Sequence, residues 1–180
     1  APAEGASCIW NPVFRSAQAE RVESLQVDFV INPIFNGGTG ARPGKDGLST
    51  TAFPSGVRTT PTEVNEVTSP LVIWRREYRA DSAGAGEHRG GFGQIVEIGH
   101  RDGAPFIVSK MFDRLRHPPR GRRGGGAGAA GRVYLSDGTM LRGKGLDVVP
   151  AGTRLIMETP GGGGVGDAAR RDPARVRADL

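Results

Sequence analysis

The chain has 180 residues, a formal charge of +5, 37% hydrophobic and 24% charged residues, 29 glycines and one cysteine, Cys8. Its length fits one domain, its bursts of apolar residues exclude global disorder, and a lone cysteine excludes an intrachain disulfide. No apolar run approaches the ~20 residues of a spanning helix, and the first residues lack the pattern of a secretion signal. The expected location is therefore cytoplasmic, without a membrane partner.

Residues 1–24 read as an N-terminal extension, and an alanine at position 1 suits a processed or excised piece. Residues 17–25 (AQAERVESL) fit one or two helical turns with Ser16 as cap. LQVDFVI (25–31) alternates, placing Leu25, Val27, Phe29 and Ile31 on one face of a strand. It opens a β-rich domain expected over 25–166. In the following loop, NGGTGARPGKDG (36–47), Gly38-Thr39-Gly40 begins a dinucleotide-binding pattern. Pro43 then stands at the third glycine position and has no N–H for a phosphate. Arg42, Lys45 and Asp46 fit either a carboxylate or urea-like group or a local salt bridge pinning the turn.

LVIWRREYR (71–79), QIVEIG (94–99) and PFIVSKMF (105–112) are rich in β-branched and aromatic residues and bounded by Gly, Pro and Ser, as strands are. Asp81, Ser82 and His88 assemble into a triad only on paper, because no nucleophile elbow surrounds Ser82. Between Arg101 and Arg132 eight Lys/Arg face two Asp/Glu, whereas elsewhere 16 basic residues face 17 acidic ones. The basicity is local and points to RHPPRGRRGGGAGAAGR (116–132). Arg-Gly segments can track phosphates, but this one lacks aromatics to stack bases. A solvated, flexible loop between strands is the expected reading, with nucleic acid an unfavoured partner.

RVYLSDGTMLRG (132–143) is a hairpin signal, with Asp137-Gly138 suited to a two-residue turn. Gly138 to Lys144 has the spacing of a P-loop, yet Gly145 replaces the hydroxyl residue that would hold Mg²⁺. RLIMET (154–159) is a last strand. Gly161, Gly163 and Gly166 then repeat the dinucleotide spacing, but neither a second strand nor an acidic ribose partner follows. A mobile or tightly folded loop is expected instead. Asp172 and Pro173 start a short helix in a tail over 167–180. Strands first and a helix last imply a mainly β fold: an antiparallel sandwich or open barrel with long Gly-rich loops and a short C-terminal helix. His88, His100 and His117 lack metal-ligand spacing, so no metal site is expected in this chain.

Taken in order, PAEGASCIWN, GGTGARPGKDG, FPSGVRTTPTEVNE, SPLVIWRREYRADSAGAGEHRGGFG and ETPGGGGVGD closely resemble the C-terminal portion of the hydantoinase B / 5-oxoprolinase family, which includes acetone carboxylase alpha subunits. The resemblance implies an ATP-dependent enzyme that opens a cyclic amide. A hydantoinase A-like subunit or domain would bind ATP and Mg, and a catalytic metal would sit in an upstream portion of the B subunit. No cofactor and no catalytic residue carries over onto this chain, which is expected to be inactive alone, shaping the active site and docking the partner. Arg42, Asp46, His88 and Arg89, polar groups on small-residue loops, are the expected substrate-lining residues. The alternatives are an acetone-carboxylase-type carboxylase subunit and a basic Arg-Gly nucleic-acid-binding module.

Overall fold

A computed structural model describes residues 1–6, 9–17, 28–51 and 59–179. Cys8, residues 18–25 of the expected first helix and residues 25–27 of the expected first strand lie outside them.

Alternating apolar residues build two four-stranded antiparallel sheets. One contains β1 (Val13–Ser16), β2 (Val30–Ile31), β5 (Phe106–Met111) and β7 (Lys144–Val149), in the order β2-β1-β5-β7. The other contains β3 (Leu71–Tyr78), β4 (Gln94–His100), β6 (Arg132–Leu135) and β8 (Leu155–Glu158), in the order β3-β4-β8-β6. Neither sheet closes into a barrel, so the fold is a mainly β sandwich, as the order of segments implies. Phe14, Phe106 and Val108 of the first sheet and Val96, Ile98, Val133, Leu155 and Met157 of the second join one buried cluster. Each such side chain contributes about 1.5–3 kcal/mol by leaving water. Within the same cluster Trp10 stacks on Phe112, with ring centroids 4.2 Å apart.

Of the expected 1–24 extension, residues 13–16 form β1, which lies between β2 and β5. Three elements carry little sequence signal. β1 has four residues. β7 contains Gly145 at φ 108° and exposes Leu146 and Val148. Helix α1 (Thr62–Thr68) is full of β-branched residues that disfavour helix. Tertiary bonds hold it: Glu66 Oε1 accepts from Ile73 N at 2.9 Å, and Glu66 O accepts from Arg101 Nη2 at 2.9 Å.

The hairpin after β6 is present, but its turn has three residues and not the expected two. Gly138 N–H donates to Leu135 O and Leu135 N–H to Thr139 O, both at 2.9 Å. Only Gly138 takes a positive φ, 90°. Asp137 instead uses its carboxylate to accept from Thr139 N at 2.8 Å. That local bond favours an ordinary turn followed by a glycine bulge, whereas a two-residue turn needs positive φ at both central positions. The tail forms a 3-10 turn at Ala168–Arg170 and then helix α2 (Pro173–Asp179), where Asp172 Oδ1 accepts from Ala174 N at 2.8 Å. Among the described residues no helix is long and apolar enough to cross a membrane.

Candidate functional site

The glycine-rich loops meet in one body beside the sandwich. Residues 159–165 are all buried, and the chain through them is surrounded by four segments, 3–6, 37–41, 82–91 and 119–129. Gly161 and Gly164 N–H donate to Ala129 O and Gly126 O, Gly162 and Val165 N–H to Gly91 O and His88 O, and Gly163 N–H to Glu4 O. Carbonyls repeat the pattern: Pro160 O and Gly163 O accept from Gly38 and Ala41, Gly162 O and Val165 O from Gly84 and His88. Partners recurring every three residues are the signature of a polyproline-II-like chain, here satisfied sideways by its neighbours. A strand, with period two, bonds in one plane only. The N–H groups of the 161–166 run are thus given to carbonyls, which leaves them no donor for a phosphate. The 116–132 segment, expected to be solvated and flexible, is pinned the same way from Pro119 to Gly131.

Of the four expected lining residues, three come together. Asp46 accepts from Arg89 N at 3.0 Å and takes a two-pronged contact from Arg171, at 3.0 Å on Oδ1 and 2.9 Å on Oδ2. His88 Nδ1 lies 3.9 Å from Asp46 Oδ1, buried and without a hydrogen-bond partner among the described residues. Arg89 Nε donates to Asp179 Oδ1 at 2.8 Å and its guanidinium lies over the Phe92 ring at 4.4 Å. Arg171 also reaches Asp179 Oδ2 at 2.7 Å and Glu87 O at 3.2 Å, so it clamps the tail onto both loops. Burial opposes charge on Asp46 and Asp179, but the Arg171 and Arg89 bonds outweigh it and hold both carboxyls below their ordinary range. Arg42 stands apart on an exposed turn, where it and Lys45 exchange backbone bonds of 2.9 and 3.0 Å. Neither pairs with Asp46, so the expected salt bridge within the turn is replaced by one to the tail. Ser82 is buried, its Oγ donating to Arg79 O at 2.7 Å and accepting from Gly93 N at 2.9 Å, which makes it a structural hydroxyl.

Glu4 fastens the N-terminal segment. Its Oε1 accepts from Arg120 Nε at 2.8 Å and its Oε2 from Arg114 Nη1 at 2.9 Å. The Arg120 side-chain and backbone bonds lead in bringing its pKa from 4.5 down to about 2. A depressed folded-state value stabilises above the unfolded value and ceases to do so as pH falls through the folded one. Thermal melts of the wild type should therefore fall between about pH 4.5 and pH 2. Glu4→Gln should melt lower at pH 7 and lose less on acidification; parallel profiles would refute the assignment.

A cleft of about 470 Å³ lies beside β3 and β4, lined by Thr50, Thr59, Arg76, Glu77, Tyr78 and Gln94. The register of β3 against β4 slips between Ile73 and Arg75, so Arg76 pairs with the core residue Val96 and Tyr78 with Gln94. Uninterrupted alternation would put Arg76 with Val72 and Trp74 on the other face. No glycine in β3 marks the bulge, which is why sequence patterning misses this cleft.

Among the described residues no three His, Cys, Asp or Glu side chains converge to hold a metal ion. The described side chains therefore do not fit the catalytic metal that the resemblance implies. What the geometry does define is a β-sandwich module sealed by a three-period glycine bundle. The chain belongs to the hydantoinase B/oxoprolinase family, whose model matches residues 1–168. It is 38% identical to 5-oxoprolinase 1 of Arabidopsis thaliana over 137 residues, 73% of this chain and 11% of that protein. It is 35% identical to the caprolactamase beta subunit of Pseudomonas jessenii over 132 residues, 66% of this chain and 22% of that subunit. The crystal structure of the ATP-dependent caprolactamase from the same organism superposes with a TM-score of 0.80 at 25% identity, covering 99% of this chain and 32% of that one. Nucleotide-free acetone carboxylase shares the fold, with a TM-score of 0.69 at 21% identity over 99% of this chain and 28% of that one. The chain thus spans well under a third of the length of the curated relatives compared above.

Proposed function

We propose that this chain is the C-terminal part of a B-type subunit of an ATP-dependent cyclic-amide hydrolase, in which it shapes the active site and docks the partner. The observation that supports this reading best is the family match over 1–168, joined to the likeness to a caprolactamase along 99% of the chain. ATP, Mg and the catalytic metal belong in this reading to a hydantoinase A-like partner and to the upstream part of the B subunit. This chain's own contribution is mechanical. Backbone bonds in several directions hold the loops at 37–47 and 82–91 in one arrangement. Loops fixed in this way keep their side chains in place while a substrate reacts. Asp46 and Arg89 are engaged in holding the tail, and Arg42 and His88 are the residues of that group proposed to face the ring.

The test is reconstitution. The chain joined to its upstream portion and the A-type partner should open hydantoin, 5-oxoproline or caprolactam only with ATP, and the chain alone should not. In that assembly Arg42→Ala should lower kcat/KM about tenfold, the order expected for one charge-assisted contact, without lowering the melting temperature. Carboxylation of a ketone with no ring opening would move the assembly to the carboxylase branch. Turnover by the isolated chain would refute the reading.

A further inference from the structure

The cleft beside β3 and β4 holds an arginine in a setting that structural roles alone explain poorly. Arg76 faces inward, opposite Val96, in the edge strand of its sheet, with its guanidinium 5.8 Å from the centroid of the buried Phe35 ring. It has no carboxylate partner among the described residues. Its two hydrogen bonds there are long, from Nε to Gln94 Oε1 at 3.3 Å and from Nη1 to Thr62 Oγ1 at 3.4 Å. Two acceptors leave most of a five-donor guanidinium unmatched. Glu77, in the same cleft, is already paired with Arg75 and does not neutralise it. Partial burial pushes the Arg76 guanidinium below its ordinary pKa, and no carboxylate among the described residues offsets it.

A half-buried arginine costs desolvation that a neutral acceptor repays poorly, and a two-oxygen anion repays well through parallel N–H···O bonds. The surroundings suit such a ligand: Thr50, Thr59, Tyr78 and Gln94, all with polar side chains, line the same cleft. We propose that this cleft is a binding site for a small carboxylate, held side-on by Arg76. Gln94 acts as the positioning residue. Its Oε1 accepts from Arg76 Nε, while its Nε2 is anchored on Asn36 O at 2.8 Å. The site distinguishes carboxylate-bearing small molecules from neutral amides of equal size. It stands whether or not the complete enzyme opens rings, because it concerns binding to this chain itself.

The experiment is an NMR titration of the ¹⁵N-labelled 180-residue chain with acetate, with 5-oxoproline and with neutral acetamide, following the Arg76 Nε–H and the Thr50 and Gln94 amides. Acetate and 5-oxoproline should give saturable shifts at these positions, and acetamide none. Arg76→Gln should weaken carboxylate binding about tenfold or more while leaving distant amides unchanged, as loss of a charge-assisted bond requires. Gln94→Ala should weaken it less. An inward charge on an edge strand also guards against edge-to-edge pairing. If neither carboxylate saturates, and Arg76→Gln merely self-associates, Arg76 is such a guard and the site is refuted. Tighter binding of inorganic phosphate than of either carboxylate would overturn the ligand class, and equal shifts with acetamide would overturn the role of charge.

Discussion

Gly162→Ala is expected to destabilise the chain by about 3 kcal/mol or more, a large share of the about 5–15 kcal/mol that holds an ordinary domain folded. A Cβ at this position would meet Thr39 O at 1.9 Å, Thr39 C at 2.4 Å and Gly40 N at 2.9 Å. All three are backbone atoms, and backbone here cannot retreat singly. Thr39 N–H is bonded to Leu48 O, Thr39 O accepts from Gly91 N–H, and Gly162 N–H itself donates to Gly91 O. Moving Thr39 away breaks bonds in three segments at once, and each buried group left unmatched costs about 1–3 kcal/mol. Gly126→Ala is the control. Its Cβ would find nothing nearer than Ala85 N at 3.3 Å, and its φ is not among the positive ones. Alanine there also restricts the unfolded chain, so the net change should stay within about 1 kcal/mol. Urea denaturation of both variants measures the difference. Two similar midpoints would mean that the bundle is not closely packed.

That contrast also locates what a reader of the sequence can and cannot see. The strands at 71–78, 94–100, 106–111 and 155–158 are legible because β-branched residues, alternation and flanking Gly or Pro act locally. Asp172 and Pro173 announce α2 for the same reason. The glycine run 161–164 is conspicuous in the sequence, but its local pattern fits a phosphate loop, a flexible linker or a packed thread equally well. What decides between them is the identity of the neighbours, which lie up to 159 positions away: Gly163 bonds to Glu4. The candidate site divides in the same manner. Asp46, His88 and Arg89 could be chosen as polar residues on small-residue loops. Their joining by Arg171 depends on the tail folding back across the molecule. Arg76 was hidden by one inserted residue in β3, which reverses the faces of every residue after it.

Arg171→Ala is expected to cost about 2–3 kcal/mol and to release the C-terminal tail. Breaking one partner of a buried ion pair typically costs about 3–5 kcal/mol, because the other charge stays behind without compensation. The smaller figure applies here because Asp46 and Asp179 keep 25% and 23% of their side-chain surface in water, while Arg171 keeps 8%. Removing the guanidinium leaves two carboxylates near each other, offset among the described arginines by Arg89 and the more distant Arg175, 3.6 Å from Asp46. Helix α2 has no buried residue to hold it once those bonds are gone. Hydrogen exchange should therefore accelerate across 173–179 before the sandwich melts, a local effect that loss of core packing would not produce. Arg171→Lys should recover only part of the stability, since an ammonium cannot make the two-pronged contact with Asp46 while also reaching Asp179. A double-mutant cycle with Asp46→Ala should give a coupling of about 1–3 kcal/mol, as residues in one network do. Strict additivity, with unchanged exchange in the tail, would mean that Arg171 and Asp46 act independently and that the tail is held by something other than this clamp.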